Sequence, residues 1–203
     1  MATQGPLSPG TIVSDSSFGD VAWVSPGNAS ASDDARATVT LGIIVPNSEY
    51  LKSTNFGFTI PAGATINGIV VEIERSTPIA GQVTDGRVRI VKGGTIGATD
   101  RSGGTWPSTD AYASYGSSSD LWGETWTSTD INSSLFGTAL VAAWVSASAP
   151  VAQVDHVRIT VHYTAAANIL RRNLHGRDLG SSSDEQHYPK GGLNLYQTRH
   201  IAA

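Results

Sequence analysis

The chain has 203 residues, a formal charge of −4 at neutral pH and only 15% charged residues. Three lysines cannot supply the dense basic patch that neutralises phosphates, so nucleic-acid binding is not expected. Without cysteine there is neither a disulfide scaffold nor a thiolate metal site, and no run approaches the roughly 20 apolar residues that span a bilayer.

Residues 1–10 carry Gly5, Pro6, Pro9 and Gly10 and read as an extended N-terminal arm. They hold neither a basic segment nor an apolar run, so general secretory export is not expected. From Thr11 to Thr164 short apolar runs are bounded by Gly, Pro, Asn, Asp or Ser, the pattern of strands and turns. The expected strands are Thr11–Ser14, Asp20–Val24, Ala35–Ile44, Asn55–Ile60, Ile66–Arg75, Arg87–Lys92, Gly123–Thr127, Ala139–Val145 and Val154–Tyr163. Gly93-Gly94 and Gly103-Gly104 fall in turns between them.

Two strands alternate cleanly. Ile69, Val71 and Ile73 share one face, with Glu72 and Glu74 opposite; Val157, Ile159, Val161 and Tyr163 share another, with His156, Arg158, Thr160 and His162 opposite. Period two with one apolar face marks sheets packed on one side and wet on the other. The expected fold is therefore all-β, an antiparallel β-sandwich of jelly-roll type spanning residues 11–164, with Val71, Ile73, Ile159 and Val161 in its core.

After Thr164 the charge changes sign. Residues 165–203 hold five basic and three acidic residues, a balance of +2, whereas residues 1–164 hold eight and 14, a balance of −6. Ala165–His175 has the composition of a short helix ended by Gly176. Apolar residues then recur without a strand pattern. We expect residues 165–203 to be a C-terminal arm that docks on partner subunits through Leu170, Arg171, Arg172, Leu174, Tyr188, Leu193, Leu195 and Tyr196.

No catalytic signature is present: there is no Gly-x-Ser-x-Gly elbow, Walker loop, His-Glu-x-x-His pair or dinucleotide fingerprint. Nothing calls for a cofactor. His156 and His162, six residues apart on one strand face, lie about 20 Å apart at the usual rise and cannot share a metal; both read as exposed structural residues. Asp33-Asp34 precedes a strand and could contribute to a calcium loop, but without further spaced oxygen ligands it reads as a turn, and Glu72 and Glu74 read as a solvated face. Trp106, Tyr112, Tyr115, Trp122 and Trp126 cluster in a Gly/Ser/Thr-rich segment. They are candidates for stacking on sugar rings, with core or interface packing the stronger reading for Trp122 and Trp126.

Three segments carry a resemblance. Asn55–Arg75 runs through an Ile60-Pro-Ala-Gly-Ala-Thr-Ile-Asn-Gly68 turn into an alternating strand; Leu121-Trp-Gly-Glu124 and the closing strand Val154–Tyr163 follow. Together they resemble a small β-sandwich that recurs among structural proteins of tailed bacteriophages, over roughly residues 20–164. The resemblance implies a non-enzymatic virion component in a head-decoration (cement), tail or fibre position, assembled in the host cytoplasm. Its partners would be major capsid or tail subunits and further copies of itself, with a trimer the natural oligomer for decoration sites on three-fold positions. The rival expectation is a carbohydrate-binding receptor module of a tail fibre built on the five aromatic residues. The tail from Ala165 has no counterpart in the resembling pattern.

Overall fold

The structure, a computed structural model, describes residues 1–146 and 149–167. Among them, ten strands form two five-stranded antiparallel sheets. In the first, β1 (Ala2–Leu7), β10 (Val151–Thr164), β5 (Thr65–Ser76) and β8 (Ala111–Ser117) lie side by side, and β3 (Ala37–Thr40) also pairs with β10. The second runs β2 (Thr11–Asp15), β4 (Tyr50–Thr54), β9 (Gly137–Trp144), β6 (Val83–Lys92) and β7 (Thr95–Asp100). Strands β3 to β10 follow jelly-roll order, β3-β10-β5-β8 against β4-β9-β6-β7, with β6 and β7 as a hairpin within the second sheet and β1 and β2 added at one edge of each sheet.

The alternation read from the sequence is what closes this sandwich. Ile69, Val71, Ile73, Ile159 and Val161 are all fully buried between the sheets. Strand β10, at 14 residues, spans about 46 Å at 3.3 Å per residue. One of its edges pairs with β5 over most of this length, and β3 and β1 share the other edge end to end: Ala37–Thr40 pair with Val151–Val154, and Ala2–Leu7 with Ile159–Tyr163. Residues 1–10 are thus no free arm. Their extended conformation is used to complete a sheet edge.

Three expected strands do not form. Asn55–Ile60 still sends Phe56, Phe58 and Ile60 into the core, but Asn55 and Gly57 adopt positive φ (61° and 73°), so the segment leaves the extended conformation twice within three residues. The side-chain amide of Asn132 replaces the missing strand partner: its Oδ1 accepts from the Ile60 N–H at 2.7 Å and its Nδ2 donates to the Ile60 carbonyl at 2.9 Å. Gly123–Thr127 is a turn because Trp122 and Gly123 both have positive φ, and Thr127 then caps the short helix α1 (Ser128–Asn132) in a reciprocal box with Asp130. Asp20–Val24 makes only isolated bridges, and Ala35–Ile44 shortens to β3. Strands β1, β4, β7 and β8 lie outside the expected set.

Trp122 shows how tightly this end is built. Its indole is buried and donates to the Ile69 carbonyl at 3.0 Å, crossing β8 at Gly116 (φ 77°). A Cβ on Gly116 would lie 2.8 Å from the indole nitrogen and 2.4 Å from the Ile69 oxygen, so only glycine permits the crossing. Trp122→Ala should cost about 3–5 kcal/mol and lower Tm on the order of 10 °C, read by thermal melting.

The turn before Trp122 is held by Asp120, which takes a bidentate pair from Arg101 at 2.7 and 3.0 Å and accepts from the Trp122 N–H at 2.8 Å. Arg101 holds the Asp120 carboxyl below the ordinary carboxylate range, against the opposing effect of burial. A carboxyl lowered in the folded state contributes stability above its unfolded value of about 4 and loses it as pH falls through the folded value. Melting followed from pH 5 to pH 2 should therefore show an acid-side loss, and Asp120→Asn should flatten it.

Candidate functional site: the aromatic segment and the apolar tip

The five aromatic residues do not form a common open platform. Trp106, Tyr115 and Trp122 are buried, so their rings have no face for a sugar. Trp126 is partly buried, donates to the Leu121 carbonyl at 2.9 Å and packs edge-on against Phe136 at 5.4 Å, with the Lys92 ammonium 5.3 Å from its ring centre. Tyr112 is half-buried under the Arg158 guanidinium, 3.9 Å above its ring.

What Trp106 and Tyr115 do instead is satisfy a charge in the core. Arg75, at the end of β5, and Asp85, near the start of β6, meet between the two sheets with Nε and Oδ1 3.2 Å apart. The Tyr115 hydroxyl donates to Asp85 Oδ2 at 2.9 Å and accepts from Arg75 Nε at 3.0 Å. The Trp106 indole donates to Asp85 Oδ1 at 2.8 Å, and the Gly103 N–H reaches Oδ2 at 3.3 Å. The guanidinium also lies 5.2 Å from the Trp106 ring centre. Burial pushes the Asp85 carboxyl up, opposed by Arg75 and these donors, and pushes the Tyr115 hydroxyl far up, so it remains a donor.

Sequence reasoning missed this pair, although its signal was present. Arg75 continues the parity of Ile69, Val71 and Ile73, and Asp85 that of Val83: charges on the apolar side of two strands.

His156 and the two glutamates differ from expectation too. His156 is 9% exposed, because the segment after the 3₁₀ turn Pro26–Ala29 folds over it and Ser30 bridges to it. Its ring nitrogens contact the Ser8 hydroxyl at 2.9 Å and the Tyr112 hydroxyl at 2.7 Å, and burial lowers its affinity for a proton. Glu72 is in a bidentate pair with Arg158 at 2.9 and 3.0 Å, and Glu74 carries a buried oxygen without a hydrogen-bond partner. The proposed partner-binding set Leu170, Arg171, Arg172, Leu174, Tyr188, Leu193, Leu195 and Tyr196 lies outside the described residues.

A different surface draws attention at the end of the sandwich that follows β3. Gly42 and Val45 exchange backbone hydrogen bonds at 3.1 and 3.2 Å, closing a turn with Ile43 and Ile44 at its two corners. Both are exposed, at 76% and 88%. They lead into a recess of about 540 Å³ lined by Leu41, Val45, Trp144 and Ala149. Turn corners favour Gly, Pro, Asn, Asp and Ser; two adjacent isoleucines there leave apolar surface in water that nothing in the turn itself requires. A scan against protein-family models finds no match for this chain, and a search of curated proteins finds no significantly similar sequence.

The inter-sheet pair makes a sharp expectation. Asp85→Asn should destabilise by about 3–5 kcal/mol, because it leaves Arg75 buried and uncompensated. Replacing both together, Arg75→Met with Asp85→Leu, should recover most of that loss in chemical denaturation.

Proposed function

We propose that this chain is a non-enzymatic structural subunit of a tailed-phage particle, a capsid-decoration (cement) or other head-associated protein that folds in the host cytoplasm and is then fixed to the virion. The observation that carries this reading is the Ile43–Ile44 tip. Burying a side chain of this size contributes about 1.5–3 kcal/mol before association costs are subtracted, so the tip is a contact surface waiting for a neighbour. The resemblance of Asn55–Arg75, Leu121–Glu124 and Val154–Tyr163 to phage sandwiches supplies the kind of neighbour: a shell protein of the particle. The low surface charge, the absence of cysteine and the sign change after Thr164 suit a protein that gains order and stability from adjoining subunits. A trimer on three-fold shell positions is the oligomer this reading favours. The carbohydrate-binding alternative gains no support, since three of its five aromatic residues face the core.

The test is electron microscopy and rebinding. Particles made without the gene should lack a surface feature that purified protein restores. Ile43→Asp with Ile44→Asp should leave melting unchanged and lower rebinding at least tenfold. Rebinding as tight as that of the unaltered chain would remove the tip from the interface, and restoration of density on a tail fibre would place the protein elsewhere in the particle.

A further inference from the structure

Three acidic side chains from separate segments converge on the outer face of the first sheet. Asp34 lies in the loop before β3, Asp110 immediately precedes β8, and Asp155 sits in β10. One carboxylate oxygen of each lies within 4.8 Å of the others. A β-bulge brings Asp155 there: Val154 pairs with Arg75 and His156 with Glu74, so Asp155 is the extra residue, turned out of the strict alternation. The segment around Ser30 then covers it, leaving Asp155 2% exposed.

A carboxylate so placed ordinarily has hydrogen-bond donors or a counter-charge. Asp155 Oδ1 is out of water with no hydrogen-bond partner. Arg36 is committed to the other two acids: its Nη2 lies 2.8 Å from Asp34 Oδ1, and its Nε and Nη2 both donate to Asp110 Oδ2. Asp110 Oδ1 accepts from the Ser76 hydroxyl at 2.6 Å. Three carboxylates against one guanidinium leave two negative charges, and the uncompensated one is the most buried. Burial first, and then the nearby Glu74 and Asp110, push the Asp155 carboxyl above its ordinary value, against the Asp34 N–H and Arg36.

We propose that Asp34, Asp110 and Asp155 form a calcium site. The donors are all oxygen, as a hard cation requires, and calcium accepts irregular sets of carboxylates completed by water. Calcium–oxygen distances of about 2.3–2.6 Å allow ligands up to about 5 Å apart across the ion, which accommodates the observed spread, whereas a magnesium sphere at about 2.1 Å is narrower and more exacting. The ion would give the buried Asp155 carboxylate the counter-charge it lacks and balance the two surplus charges. Arg36 would remain as the strut that holds Asp34 and Asp110 toward it. Such an ion would tie the loop before β3 to β8 and β10 beside the place where β3 pairs with β10.

The experiment uses the full chain, stripped with chelator and titrated with calcium chloride by calorimetry, with melting measured in parallel. One ion should bind per chain and raise Tm. Asp34→Asn changes an exposed side chain, so the calcium-free protein should melt as before while calcium affinity falls about tenfold or more. Asp155→Asn should abolish the calcium response yet leave the calcium-free protein at least as stable, because it removes a buried uncompensated charge; a merely structural carboxylate would show the opposite. Should Asp155→Asn fail to fold, Asp34→Asn decides alone. No saturable uptake at millimolar calcium, or uptake that Asp34→Asn leaves unchanged, overturns the proposal.

Discussion

Arg75 and Asp85 face each other between two sheets, each almost wholly removed from water, and neither is tolerable there without the other. Removing an ion from water costs several kcal/mol even after relaxation. The surrounding structure has therefore been arranged to satisfy them: Tyr115 from β8, Trp106 from the segment before it and the Gly103 N–H all turn toward Asp85. Apolar contacts carry no direction of their own, whereas this pair needs its donors and acceptors placed opposite one another. It links β5 of one sheet to β6 of the other and so fixes how the two halves face each other. The burial of Trp106 and Tyr115 follows from that requirement, and with it the loss of any sugar-stacking platform.

The long strand β10 is the second organising element. A strand of 14 residues cannot be matched by any one neighbour on its outer edge, and the fold divides the task between β3 and the N-terminal β1. Edge strands left unpaired invite association with other chains; here β1 covers one half of that edge. The same strand carries the bulge at Asp155. It lets Val154 and Val157 both reach the core, three residues apart, by displacing Asp155 and His156 onto the outer face beneath the loop near Ser30.

Loop 30–36 and the turn 42–45 stand at the two ends of β3, which has only four residues. The first carries the acids and Arg36, the second the exposed isoleucines. Both loops are anchored through a single short strand paired to β10. Such proximity ties a candidate ion-binding loop to a candidate contact surface by covalent geometry alone.

The sequence by itself determined the class of fold, because period-two alternation in Ile69–Ile73 and Val157–Val161 is a local property that survives any arrangement of the strands. It also placed Val71, Ile73, Ile159 and Val161 inside. Short strands lacking that alternation, such as β7 and β8, were not legible; Tyr112, Ala113 and Ser114 pair with β5 through backbone groups that side-chain patterning does not report. Nor was the failure of Asn55–Ile60 to form a strand, which depends on positive φ values and on Asn132, 72 residues away. Only the tertiary structure decided that Arg75 would meet Asp85, that Asp34, Asp110 and Asp155 would converge, and that the aromatic segment would turn inward. These depend on which strands lie opposite across two sheets. Parity along one strand tells which face a side chain takes, but not what it will find there.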